Sequence, residues 1–426
     1  MQHSPEVIEE AIAATAIPAA VDPRRLFPFI AFQLLTTGTF TSSIWVLWLL
    51  HRGYSLGQIG IAEACYHIAK VALEVPTGAF ADTIGRKWSL VVSTIAVVIA
   101  ASLTWWSPVF PLIMLALFID GASGSFRYGA DQAYLFDALK DEGRSHRFVR
   151  ILANMLAASY FVAALVGWTG AWLSEWSYAW PFSLNIAAAV IAGGIATLLP
   201  EPRRAAGHRT LRGVLRTMRT GIQTVRQRPT LLRLVIFAAA FFTANTLGGL
   251  YLQSVLKGHG FANGAIGLTL GIALIASAGA TWLGGRLPAS WRGWMPFALL
   301  AAAVAVGLVF QGMAWVPLVL VGLGVRELSI GIFEPLFSAW INEEAPSATR
   351  ATVLSLSEFG FSVTMVWSFP LTGFVAERAG WGVAYGAVAA VLALIVGIIL
   401  LTLRRGEPLS SPPAPLVRSH RPEAST

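Results

Sequence analysis

Four ionisable residues stand in a row inside a mostly apolar stretch: Glu63, His67, Lys70 and Glu74, the last three at +4, +7 and +11 from the first. At 3.6 residues per turn those steps return to one face of a helix. A second stretch repeats the steps of 7 and 11 with Asp120, Arg127 and Asp131. Arg326, Glu327 and Glu334 fall in a third apolar stretch and Glu358 in a fourth. A charge at the centre of a membrane-spanning helix costs about 2.5–3.5 kcal/mol on insertion scales. Stripes of alternating sign therefore point to one of two things. They are neutralised pairs that lock helices together, or they line a polar cavity. In a cavity, a carboxyl can take up and release a proton as its surroundings dry out or a cation approaches. Asp120, Asp131, Glu334 and Glu358 all have that chemistry. His67 reads as a hydrogen-bonded packing residue.

Other chemistries lack their residues. No HExxH, GxSxG or GxxxxGK[ST] pattern occurs, and no Cys/His cluster could bind a metal. Metal-assisted hydrolysis, acyl transfer and ATP-driven pumping are thus left without a site. The sequence predicts no enzyme, no cofactor and no metal. Cys65 is the single cysteine, so no disulfide can form within the chain.

The elements that hold these residues must suit their solvent. Of 426 residues, 56% are hydrophobic and only 12% charged, with a mean hydropathy of +0.66. Soluble domains carry about 25% charged residues. A water-facing surface cannot be built from this chain, and a lipid bilayer must be its main surroundings. The first 25 residues hold Glu6, Glu9 and Glu10 ahead of a short apolar run, the wrong charge for a secretory signal.

A membrane-crossing helix takes about 20 mostly apolar residues. Twelve such runs can be laid out, at 26–50, 58–81, 88–106, 109–138, 147–174, 178–199, 231–256, 262–285, 294–313, 316–341, 350–376 and 380–403. With the N-terminus inside, the cytoplasmic segments collect Arg24, Arg25, Arg86, Lys87, Lys140, Arg144, Arg286, Arg292, Arg404 and Arg405, while the opposite loops hold little beyond Arg52, Lys257 and Arg378. By the positive-inside rule both termini are cytoplasmic. The net charge of +8 then reads as topology and not as an affinity for nucleic acid. Trp105, Trp106, Trp176, Trp180 and Trp315 fall at expected outer ends, as an interfacial belt would.

The chain divides accordingly. Residues 1–25 form a cytoplasmic N-terminal segment, 26–199 and 231–403 two sets of six spans, and 404–426 a Pro- and Ser-rich disordered tail. The basic linker, 200–230, puts Leu211, Val214, Leu215, Met218, Ile222 and Val225 on one helical face, as an amphipathic helix on an anionic leaflet would. The two sets echo each other. GYSLGQIGI starts at Gly53 and GFANGAIGL at Gly260, and the same step of 207 carries Gly57 to Gly264, Gly60 to Gly267 and Gly78 to Gly285. Six helices repeated about an axis along the membrane normal is a transporter arrangement.

Between the second and third spans stands Gly-x-x-x-Asp-x-x-Gly-Arg-Lys, formed by Gly78, Asp82, Gly85, Arg86 and Lys87. In this loop the pattern resembles the helix 2–3 signature of the major facilitator superfamily. The resemblance spans roughly residues 26–403 and implies an all-α integral membrane protein of twelve helices in two bundles. It also implies that the motif is a gate, with Arg86 reaching Asp137 in YLFDALK at the end of the fourth helix. Gly78 should let another helix approach, and Asp82 should accept hydrogen bonds at a helix N-terminus. The second half keeps Gly285 but reads LPASWRGW where the Asp and Gly-Arg should be, so the latch is expected in one half only. Because the fourth and tenth helices face the cavity in that superfamily, Asp120, Arg127, Asp131 and Glu334 rank above the second-span stripe. Asp131 or Glu334 is the expected proton carrier, with Arg127 as a switchable partner. Phrases such as EVPTG and GADQAYLFDALK are similar to those of bacterial drug or metabolite exporters. Family antiporters often show Gly-Pro-x-x-Gly on helix 5, and here Trp168 replaces the proline of Gly167-Trp168-Thr169-Gly170. The expectation is a proton-coupled exporter of a small organic molecule, monomeric, in a bacterial inner membrane. Import is the alternative, and a non-transporting sensor a remote one.

Overall fold

A computed structural model describes residues 23–202, 211–346 and 349–403, and among these there is no strand. Both terminal segments fall largely outside that range, as does part of the basic linker. In chain order the helices are α1 (Pro23–Thr37), α2 (Trp45–His51), α3 (Leu56–Thr83), α4 (Arg86–Trp106), α5 (Phe110–Arg127), α6 (Ala130–Asp141), α7 (Phe148–Leu173), α8 (Ala179–Leu198), α9 (Leu211–Gln227), α10 (Pro229–Leu250), α11 (Leu252–Gly258), α12 (Asn263–Gly284), α13 (Trp294–Gln311), α14 (Val316–Glu344) and α15 (Arg350–Leu401).

Among the described residues, nine helical stretches are long and apolar enough to cross a membrane. The other expected spans differ from the nine in identifiable ways. The first is split into α1 and α2 around residues 38–44. The second, α3, has the length at 28 residues but carries Glu63, Lys70, Glu74 and Asp82. The eleventh and twelfth run together in α15, whose 52 residues are interrupted by Gly380 at φ 82°, ψ 168°. As one straight helix α15 would be about 78 Å long, more than twice a hydrocarbon core of about 30 Å. The left-handed glycine is where it must turn.

Packing follows the sequence division. In the first stretch α3 lies on α5, α5 on α4, α4 on α8, and α1 on both α8 and α7. In the second, α15 lies on α10 and α13, and α14 on α13 and α12. The main contacts between the two sets are α3 with α15 and α7 with α12. Small residues make them close. A Cβ on Gly60 would sit 2.5 Å from Pro370 Cα, and one on Gly373 would strike the Leu56 carbonyl. Polar bonds gather at the same end: Tyr251 Oη donates to the Leu56 and Phe369 carbonyls, Gly57 N to Glu377, and Gly264 N to Glu175.

The internal repeat survives in local geometry. Gly53 and Gly260 share φ 84°. α2 and α11 are both seven residues long, and α3 and α12 begin at Leu56 and Asn263, again 207 apart. Val46 N donates to Gln253 Oε1 at 3.3 Å, a contact between a residue and its own counterpart 207 positions on. Such a contact can only lie near the axis that relates the two repeats.

The basic linker does form a helix, α9. Of the side chains described there, Val225 is buried, and Gly221 lies against Thr352 at the start of α15. That end of α9 therefore packs on protein. Four of the five belt tryptophans, Trp106, Trp176, Trp180 and Trp315, are exposed, whereas Trp105 stacks on Trp48 with ring centroids 4.7 Å apart.

Candidate functional site

The site begins with the phasing of α3. Ser55 and Gln58 form a capping box that fixes the first turn, and Glu63, Tyr66, His67 and Lys70 then follow along the helix. α5 comes close because Gly121 has no side chain, and a Cβ there would collide with the Tyr66 carbonyl. Between these two helices and their neighbours lies a cavity of about 490 Å³ whose wall includes Glu63, His67, Lys70, Asp120 and Arg127. The second half contributes Thr246, Leu250 and Phe361.

Within it, His67 Nε2 is 3.6 Å from Glu63 Oε1, both residues being buried. The His67 ring packs edge-on against Tyr66 and Phe361, and among the described residues its Nδ1 has no hydrogen-bond partner. Lys70 Nζ is 5.2 Å from the Tyr128 ring centroid and 5.9 Å from that of Tyr66. Arg127 Cζ lies 5.6 Å from the same Tyr128 ring, and Arg127 Nη1 donates to the Thr36 carbonyl. Among the described residues, no lysine or arginine comes within ion-pair distance of Glu63 or Asp120.

This placement corrects the ranking drawn from the sequence. The second-span stripe supplies three wall residues, whereas Asp131, Glu334, Glu358 and Glu74 are not on the wall. The reason for Asp131 is local. The helix breaks after Arg127, with Gly129 at φ 82°, so the step of four to Asp131 is not one helical turn. Asp131 instead sits in the first turn of its own helix, accepting from Gln132 N at 2.7 Å and, more loosely, from Gln33 Nε2 at 3.4 Å. It forms no ion pair with Arg127. Glu74, Glu334 and Glu358 are exposed. Arg326 is buried away from the cavity, bonded to Asn245 and to Glu327 at 2.7 Å.

At the loop between α3 and α4, Arg86 Nη1 meets Asp137 Oδ2 at 2.8 Å, the contact that the sequence resemblance implies. Gly85 precedes the helix at φ 145°, and Lys87 lies over Trp88 at 5.7 Å. Gly78 has open space where a Cβ would be, so among the described residues no neighbour uses the gap expected of it. Asp82 is half-buried. The start of α4 is capped by Glu201, which accepts from Arg86 N at 2.9 Å and Lys87 N at 3.2 Å. Sequence reading passed over Glu201, although a signal was there: it is the only acid between Trp176 and Arg326. The second half has an ion pair of its own at the corresponding place. Arg292 pairs with Glu343, and each stands 206 positions beyond Arg86 and Asp137 respectively. LPASWRGW hides the counterpart by moving it one residue out of register.

Comparison with known proteins gives a consistent family. A model described as Major Facilitator Superfamily matches residues 26–326. An uncharacterized MFS-type transporter of Bacillus subtilis (strain 168), YxaM, is 23% identical over 392 residues, covering 88% of this chain and 94% of that protein. The fold is similar to that of the nucleoside transporter NupG, with TM-score 0.66 at 14% identity, covering 88% of this chain and 97% of that one. A POT family transporter crystallised with 5-aminolevulinic acid gives TM-score 0.66 at 12% identity, covering 88% and 95%.

Proposed function

This chain belongs to the major facilitator superfamily, and on that premise we propose that it carries a small organic molecule across a bacterial inner membrane by alternating access, coupled to protons. In this reading the twelve expected spans form two six-helix bundles, 26–199 and 231–403, with both termini cytoplasmic. The observation that carries it is the cavity, where Glu63 and Asp120 face the same space as Lys70 and Arg127 without pairing to them. Ionisable groups at membrane depth are kept for function or for mutual neutralisation, and among the described residues neither carboxyl is within ion-pair distance of a lysine or arginine. Alternating access moves such a carboxyl between wet and dry surroundings, which ties a proton to the solute's passage. A solute cation competing with the proton for these carboxyls gives exchange, hence export down to the outside.

Import is the alternative reading, because the helix 5 motif does not single out export. The glycines of Gly167-Trp168-Thr169-Gly170 serve close packing: a Cβ on Gly167 would lie 2.9 Å from the hydroxyls of Ser42 and Ser43, and Gly170 abuts the Phe40 backbone. That role needs no proline and does not mark an antiporter. Flux of a compound panel in everted and right-side-out vesicles, with an imposed pH gradient, separates the two. Export requires substrate to collapse an acid-inside gradient in everted vesicles. Absence of gradient-dependent flux in both orientations across the panel would overturn the transport reading.

A further inference from the structure

Two helix starts are completed by a carboxylate from the other half of the molecule. Gly57 and Gly264 stand 207 positions apart, and each is the second residue of its helix, α3 or α12. An amide in the first turn of a helix has no acceptor within that helix. Gly57 N donates to Glu377 Oε1 at 3.1 Å, and Gly264 N to Glu175 Oε1 at 2.7 Å. Local capping leaves both amides to these acids. On α3 the Ser55 side chain accepts from Gln58 N, and on α12 the residue before the helix is Ala262, which has no side-chain oxygen. Glu175 stands just past α7 and Glu377 three residues ahead of the turn at Gly380, so each bond crosses between the halves. The pairs at the motif end, Arg86 with Asp137 and Arg292 with Glu343, each stay within one half.

Glycine at the amide lets the other half come this close. A Cβ on Gly264 would lie 2.9 Å from Glu175 Oε1, and one on Gly57 would run into the ring of Phe374, three residues before Glu377. Further bonds close the same two seams. Asn263 accepts from Lys257 Nζ at 2.9 Å and donates to Ser174 Oγ at 3.0 Å, while Tyr251 Oη donates to the Leu56 and Phe369 carbonyls. The two acids are 202 positions apart, so the repeat of 207 matches the amides and not the groups that reach them. A carboxylate is favoured by the partial positive charge at a helix N-terminus. Here that gain exists only while the halves meet at this end. We infer that Glu175 and Glu377 are the two locks of the outer gate, positioning residues that hold that face shut by capping a helix of the opposite half, one at each seam. Naming this end the outer one rests on the topology proposed above. Losing one lock eases opening, and losing both eases it further, the factors multiplying because the two bonds share no residue.

The test uses the purified full chain in lipid nanodiscs, in a Cys65→Ser background. Spin labels on cysteines at Trp106 and Met313, both exposed, report the outer end, and a second pair at Lys140 and Arg286 reports the inner end. Glu175→Gln or Glu377→Gln is expected to raise the ratio of outer-open to outer-closed molecules about two- to fivefold. The double variant should raise it by about the product of the two, with the inner distance shortening in step. A mere loss of stability would not give that reciprocal change. Gly264→Ala keeps Glu175 but denies it the amide, so it should act as Glu175→Gln does and carries the test if a Gln variant fails to fold. Unchanged distributions in the double variant, or in Gly264→Ala where that variant stands in, overturn the inference. So does an outer distance that lengthens with no change inside. Vesicle flux keeps the two readings apart. Reciprocal shifts with no flux of any panel compound would sink the transport reading and leave the locks. Gradient-driven flux in a double variant whose distances match the parent's would do the reverse.

Discussion

Glu63 and Asp131 are both buried acids, and their neighbours assign them different work. Glu63 faces the cavity beside His67 with no lysine or arginine in contact. Its replacement by Gln orphans no cation, so folded yield is expected to hold while gradient-driven flux falls at least tenfold and exchange or binding persists. Asp131 stands in the first turn of α6, bonded to Gln132 N and Gln33. Asp131→Asn keeps an acceptor and should cost no more than about 1 kcal/mol of stability, with flux close to the parent's. Vesicle flux alongside thermal unfolding in detergent reads both. If Asp131→Asn abolishes coupled flux at normal yield, the carrier is Asp131 after all. The spacing of seven and eleven was visible in the sequence. That the last step crosses a break at Gly129 was not, because a positive φ at one glycine leaves no mark on hydrophobic periodicity.

Single helices show the same division between pattern and partner. The motif residues between α3 and α4 could be recognised by type, and Arg86 with Asp137 is the pair they imply. Glu201, which closes the exposed amides of α4, comes from the end of a helix more than a hundred residues away. Glu201→Gln removes a charge at a helix N-terminus, and the expected loss is about 0.5–1 kcal/mol, seen as a lower unfolding temperature that high salt reduces. No change at low salt would show the contact to be idle. The α3–α15 contact makes a conformational prediction. A methyl at Gly60 or Gly373 cannot be fitted against backbone, so Gly60→Ala should part the helices there. Spin labels at Trp106 and Arg378 in a Cys65→Ser background are expected to show a longer distance population than the parent. An unchanged distribution with normal folding would contradict this.

Across the whole molecule, the repeat is the organising fact. Its step of 207 is legible in glycine phrases, returns in matched φ angles at Gly53 and Gly260, and ends in contact between Val46 and Gln253. Arg292 with Glu343 extends it to the motif end of the second half. If that pair is a true counterpart of Arg86 with Asp137, double-mutant cycles to alanine should give couplings of the same order for both. Partial exposure puts each at about 0.2–1 kcal/mol. Strict additivity at Arg292 and Glu343 would make the second contact incidental.

By itself the sequence determined the solvent, the helical class, the run of apolar spans and the family. These rest on composition and on short-range spacing, which act through burial in lipid and through backbone bonds closed within each helix. It also supplied the charges at membrane depth, since each is too costly to be accidental. What it could not determine was which of those charges face one another. α3 and α5 bring Glu63, Lys70, Asp120 and Arg127 to one cavity, while Asp131 and Arg326, equally conspicuous as letters, are turned elsewhere. That choice belongs to helix rotation and to the close approach that Gly121 permits. It is settled by packing between segments distant in the chain, and no local pattern encodes it.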